Sequence, residues 1–110
     1  MPTLRESTTA VVARGERLAN GFTTEPYEAA WAIEAIVFLH ALDDGDAGMI
    51  TVQVSPDGMN WVDGGTEITI PAEGKVAFGR IGHFGNWLRL QAHLSNGAER
   101  RLTITLQMKG

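Results

Sequence analysis

The feature that most constrains this chain is a period-two alternation of apolar and polar residues, repeated along the sequence and cut by turn formers. In residues 49–55, Ile50, Val52 and Val54 alternate with Thr51, Gln53 and Ser55. In 87–94, Leu88, Leu90, Ala92 and Leu94 alternate with Arg89, Gln91 and His93. In 101–108, Leu102, Ile104, Leu106 and Met108 alternate with Thr103, Thr105 and Gln107. Successive side chains of a strand point to opposite faces, so each segment reads as a strand with one greasy and one wet side.

The breaks between such segments carry their own chemistry. Pro56-Asp57-Gly58 is a turn, since Pro presets φ early and Gly accepts positive φ later. Asn20-Gly21 and Asn96-Gly97 are hairpin signals. Shorter strands are expected at 8–14, ending at Gly15, at 22–24 before Pro26, at 60–63, at 67–70 and at 75–80, with Gly64-Gly65 separating the third from the fourth. Thirteen glycines in 110 residues fit many tight turns and short strands.

Residues 27–42 are ambiguous. Alanines, Pro26 and Thr24 as a candidate N-cap suggest a helix. Ile33, Ile36, Val37 and Phe38 prefer a pleated surface, and Trp31, Ile33, Ala35, Val37, Leu39 and Ala41 would share one face of a strand. The β-branched and aromatic residues favour a strand over 32–42, apolar on both faces near its centre. The whole is expected to be an all-β antiparallel two-sheet sandwich, jelly-roll-like, with seven to eight short strands. Residues 8–110 form one domain, and residues 1–7 read as an arm that orders on a neighbour.

Composition excludes several functions. Lys+Arg 9 against Asp+Glu 13 gives a net charge of -4, without the basic footprint that nucleic acid demands. Arg100 and Arg101 are adjacent, so in a strand they face opposite ways and make no patch. No run of about 20 apolar residues exists to span a bilayer as a helix. The first ten residues lack the apolar stretch of a signal peptide, and there is no cysteine for a disulfide framework. Synthesis in a host cytoplasm is expected, without a membrane partner.

Catalysis finds no footing. Ser7, Ser55 and Ser95 stand outside any nucleophile elbow, and His40, His83 and His93 have no close-spaced metal-ligand pattern, although His40 and His93 could meet across a sheet. Asp43, Asp44 and Asp46 in DDGDAG offer oxygen ligands and are the weak metal candidate. The twelfth position counted from Asp43 is Val54, where a calcium loop of the helix–loop–helix type needs Glu. The plain alternative is a solvated acidic loop. No cofactor is expected. Trp61 is expected to cover the Pro56–Gly58 turn. Trp87, in line with Arg89 and Gln91, is expected to face outward as a contact residue.

The segment ITVQVSPDGMNWV, Ile50 to Val62, resembles a hairpin of small β-sandwich structural proteins of tailed phages and prophages, with S-P-D-G-x-x-W following a strand. GHFGNWLRL, from Gly82 to Leu90, and the Thr-rich last strand look similar to later parts of such modules. The same hairpin looks like one in discoidin-like carbohydrate-binding domains. The resemblance covers about half of the chain and transfers no binding residue. It implies a non-enzymatic structural protein that self-associates or decorates a capsid or tail, located in a virion or other large assembly. The alternative is a carbohydrate-binding module with a glycan partner. The expected contact residues are Trp31, Phe38, His40, Trp87 and Arg89.

Overall fold

The computed structural model describes residues 7–45, 47–82 and 86–110. Eight strands build it: β1 (Ser7–Ala19), β2 (Tyr27–Glu28), β3 (Glu34–Ala41), β4 (Met49–Ser55), β5 (Val62–Thr69), β6 (Val76–Gly82), β7 (Trp87–His93) and β8 (Glu99–Lys109). They form two four-stranded sheets in the orders β1-β8-β3-β6 and β2-β7-β4-β5. Pairs β1/β8, β2/β7, β3/β6 and β4/β5 are antiparallel and nested one inside another. The chain is thus one long double-stranded ribbon, closed at the β4–β5 hairpin and rolled so that β3 meets β8 and β4 meets β7. This is the jelly-roll arrangement.

The alternating segments supply the core as their pattern requires. Ala35, Val37, Leu39 and Ala41 of β3 are buried, with Leu102, Ile104, Leu106 and Met108 of β8 beside them. Ile50, Val52, Leu88, Leu90 and Ala92 face them from the second sheet. The 27–42 ambiguity resolves to strand over Glu34–Ala41, shorter than the expected 32–42, with β2 at Tyr27–Glu28 and a turn between. β3 pairs with β8 along its whole length and with β6 up to His40. Ile33, expected in the inward row, is exposed because it precedes the strand. Thr24 caps no helix. Its backbone N–H donates to the Leu90 carbonyl at 3.0 Å, and its hydroxyl accepts the Leu90 N–H at 3.0 Å. These bonds extend the second sheet past β2.

Two glycine breaks read from the sequence are not breaks. Gly15 stands inside β1 with φ 60°, and the register slips between Ala13 and Glu16. The strand bulges there and runs on to Ala19. The displaced Gly15 N–H donates to Thr103 Oγ1 at 3.0 Å, and the Gly15 carbonyl accepts from Arg101 Nε at 3.0 Å. Likewise β5 runs through Gly64-Gly65, where the ladder slips between Thr51 and Gln53 on β4. A bulge keeps the strand while inserting extra residues, and glycine accommodates the kink. Ser7 already pairs with Lys109, so β1 begins at the last residue of the expected arm. The rest of the arm lies outside the described residues.

Among the described residues, one charged side chain is buried, as are the hydroxyl-bearing Thr24, Thr51 and Ser55. Arg100 is 1% exposed. Its Nε donates to Asp43 Oδ1 at 3.1 Å, and its Nη2 donates to the carbonyls of Asp43 and Pro71, each at 2.8 Å. The same Asp43 oxygen accepts the Arg101 N–H at 2.9 Å. A buried charge is tolerable only when paired and hydrogen-bonded, and this one is both. Burial pushes the Asp43 carboxyl up, but the Arg101 N–H and the Arg100 guanidinium together outweigh it and hold it below 3.8.

Candidate interaction surfaces

Two broad surfaces remain after the core is closed: the outer faces of the two sheets. Their characters differ.

On the first sheet, β6 turns Val76, Phe78 and Arg80 outward, while Ala77, Gly79 and Ile81 face in. Val76 is 59% exposed and Phe78 54%. Register places Phe78 beside Phe38 on β3, and Phe38 beside Thr105 on β8, which in turn pairs with Val11 on β1. The Phe38 and Phe78 ring centroids are 6.3 Å apart in a tilted pair. The Arg80 guanidinium lies 5.4 Å from the Phe78 ring centre. His40 continues the row, opposite Val76 and Thr103. Val76, Phe78 and Val11 are among the large hydrophobic side chains left exposed.

The outer face of the second sheet is a polar network. Arg89 Nε donates to Gln53 Oε1 at 2.7 Å, and Gln53 Nε2 donates to Gln91 Oε1 and Asp63 Oδ1 at 3.1 and 3.3 Å. The Arg89 guanidinium stacks over Trp61, 4.4 Å from its centroid. Thr51 Oγ1 and His93 Nε2 share a hydrogen bond of 2.9 Å.

The S-P-D-G-x-x-W hairpin at the end of this sheet holds itself together. Ser55 Oγ accepts the N–H groups of Asp57 and Gly58, and donates to Asp57 Oδ1. Asp57 Oδ1 also accepts the N–H groups of Met59 and Asn60, each at 2.9 Å, and Oδ2 accepts Asn60 Nδ2 at 2.8 Å. These bonds, led by those from Asn60 and Met59, hold the Asp57 carboxyl far below the ordinary carboxylate range. The tryptophan over the turn is Trp87, not the expected Trp61. A Cβ at Gly58 would lie 3.3 Å from the Trp87 ring. Ser55 pairs with Trp87 across β4 and β7, which brings that indole to the turn.

Both aspartates have lowered folded-state values, so each stabilises the fold fully above about pH 4, where it is ionised in both states. That contribution is lost as pH falls through the folded values. Urea midpoints measured from pH 6 down to pH 2 are expected to hold steady and then fall below about pH 4. Asp57→Asn removes the part that comes from the hairpin and flattens the acid limb.

The five expected contact residues do not share one surface. Phe38 and His40 lie on the first sheet's outer face, and Trp87 and Arg89 on the second's. Trp31 is half-buried against the core, and a Cβ at Gly110 would lie 3.0 Å from its ring. His40 and His93 stand on opposite sides of the sandwich and do not meet. Two acidic loop residues have structural partners: Asp43 holds Arg100, and Asp44 Oδ1 accepts the Glu73 N–H at 3.1 Å. Asp46 and His83 lie outside the described residues. Among the described residues no cluster of three or more His, Asp or Glu is placed to hold a metal ion. No helix among them is long and apolar enough to cross a membrane.

Sequence reasoning missed Phe78 and Val76. The signal was available in residues 75–80: the inward row there is Ala77 and Gly79, too small for a core strand, while the outward row is bulky.

No protein-family model matches the chain, and no curated protein matches it. Solved structures do. The SPBc2 prophage-derived protein YomS superposes with a TM-score of 0.73 at 8% identity, covering 100% of this chain and 98% of that one. The chain shares its fold with a prophage-derived protein. The PBSX exported protein XepA superposes with a TM-score of 0.56 at 12% identity. That match covers 97% of this chain and 37% of XepA, so the chain spans little more than a third of that protein's length. At these identities the likeness is one of fold.

Proposed function

We propose that this chain is a non-enzymatic structural module of a phage or prophage assembly, acting in many copies by contact with itself and with a capsid or tail protein. The observation that carries the reading is the exposed Phe78–Phe38 strip with Val76 and Val11 on the outer face of the first sheet. Water-exposed aromatic pairs on a flat sheet are contact surface by default. The fold supports the same direction, because jelly rolls recur in viral capsids and because YomS and XepA come from prophages.

The test is light scattering over a wide concentration range, alone and with candidate capsid or tail proteins. The wild-type protein is expected to associate. Val76→Thr combined with Phe78→Ser is expected to weaken association about tenfold or more, the scale of a central aromatic contact, with an unchanged β-type circular dichroism spectrum. A monomer at every concentration that also ignores such partners overturns the reading. Glycan binding that is lost on Trp87→Ala would replace it with a sugar-binding one.

A further inference from the structure

The two outer faces carry opposite charge. On the first sheet, strand alternation and pairing turn Arg17, Arg80, Arg101 and Lys109 outward, and these outnumber Glu34 and Glu99. On the second sheet the outward charges are Glu28, Asp63 and Glu67 against Arg89. The Arg89 guanidinium is already engaged by Trp61 and Gln53. The apolar strip therefore lies on the cationic face, and the acidic carboxylates lie on the other side of the same molecule.

The edges offer a poorer route to association. Edge strand β1 is bulged twice, β2 has two residues, and β5 carries the double-glycine bulge. Edge strand β6 has its Arg80 carbonyl occupied by Thr66 Oγ1 at 2.8 Å, reaching across from the second sheet. Bulged, short and covered edges resist strand addition. The faces are left.

We infer that copies of this chain stack head to tail, the cationic apolar face of one against the acidic face of the next. This rests on the self-association proposed above and adds the two surfaces and their polarity. A contact between two different faces is heterologous, so it does not stop at a dimer; it closes into a ring or continues as a filament. Complementary charge sets orientation and penalises like faces meeting.

The experiment uses two variants, each checked for native circular dichroism. The cationic-face variant carries Arg17→Glu and Arg80→Glu, and the acidic-face variant carries Asp63→Lys and Glu67→Lys. Each alone is expected to be monomeric at a concentration where the wild-type protein forms species larger than dimers. Mixed in equal amounts they are expected to associate, because each reversed face now fits the other's. Wild-type assemblies are expected to shrink as salt rises from about 0.05 M to about 0.5 M, where screening removes most attraction between exposed charges. If a variant misfolds, the milder pair Arg80→Gln and Glu67→Gln, with the salt titration, reads the same interface. An acidic-face variant that assembles like wild type, or a wild-type assembly that stops at a dimer, overturns the head-to-tail arrangement and leaves self-association standing. A wild-type protein that never associates overturns both.

Discussion

Arg100→Ala is expected to destabilise the protein by about 3–5 kcal/mol, the range seen when one member of a buried ion pair is removed. Among the described residues, the carbonyls of Asp43 and Pro71 and the Asp43 carboxylate each lose the hydrogen bond that Arg100 donates. The side chain is also among the largest that are fully buried, so its truncation leaves a void between β8 and the loops that follow β3 and β5. Chemical denaturation should show a lower midpoint with an unchanged slope. Asp43→Ala is also expected to destabilise, since it takes a counter-charge away from the buried guanidinium while leaving its carbonyl acceptors in place, and the double variant should cost less than the sum of the singles. Strict additivity would mean that the two side chains do not act as a pair.

The second large effect concerns a glycine at the other end of the same loop. A Cβ at Gly48 would collide with Leu94 Cδ2 and lie 2.8 Å from the His93 carbonyl oxygen. The leucine can move, but the carbonyl belongs to the end of β7 and cannot move without opening the β4–β7 ladder. Gly48→Ala is therefore expected to destabilise by about 1–3 kcal/mol, the usual cost of overpacking. Gly79→Ala is the comparison. Its Cβ would meet Ile68 Cγ1 and Cδ1 and Thr66 Cγ2 at 2.6, 2.8 and 3.0 Å, all side-chain atoms of a neighbouring edge strand. Repacking Ile68 can relieve that clash, so Gly79→Ala is expected to cost less. Thermal melts of the two variants side by side check the order, and a larger drop for Gly79→Ala would contradict it.

The sequence makes much of this fold readable because one physical rule dominates it. A sheet covered on one side must alternate, and β3, β7 and β8 do so in burial, while in β4 Thr51 and Ser55 of the expected wet row are buried as well. The same rule sets Arg100 opposite Arg101 and so implies that one of them faces the core. What it does not contain is the partner. Asp43 lies 57 residues away from Arg100 and reaches it only because β3 and β8 are neighbours in the rolled ribbon. Long-range register also decides which tryptophan covers the hairpin, since Trp87 arrives through the pairing of β7 with β4. Gly15 and Gly64-Gly65 look like strand ends locally, and only the continuing ladders on either side turn them into bulges. Phe78 escaped notice because the inward residues of its strand, Ala77 and Gly79, are too small to mark a core-facing row. Gly79 on the inner side of β6 lets Ile68 of β5 approach closely.

The nesting of the strands also bears on how the molecule comes into being. Ser7 at the head of β1 pairs with Lys109 at the tail of β8, and β8 separates β1 from the rest of its sheet. Only the β4–β5 turn joins partners that are close in the chain. An emerging polypeptide can close that inner hairpin early, but its first thirteen-residue strand has nothing to dock against until the last strand leaves the ribosome. Completion thus waits for β8 and is slow in the way of proteins whose pairings span the chain, and the waiting β1 is the segment that chaperones or a neighbouring copy would meet first.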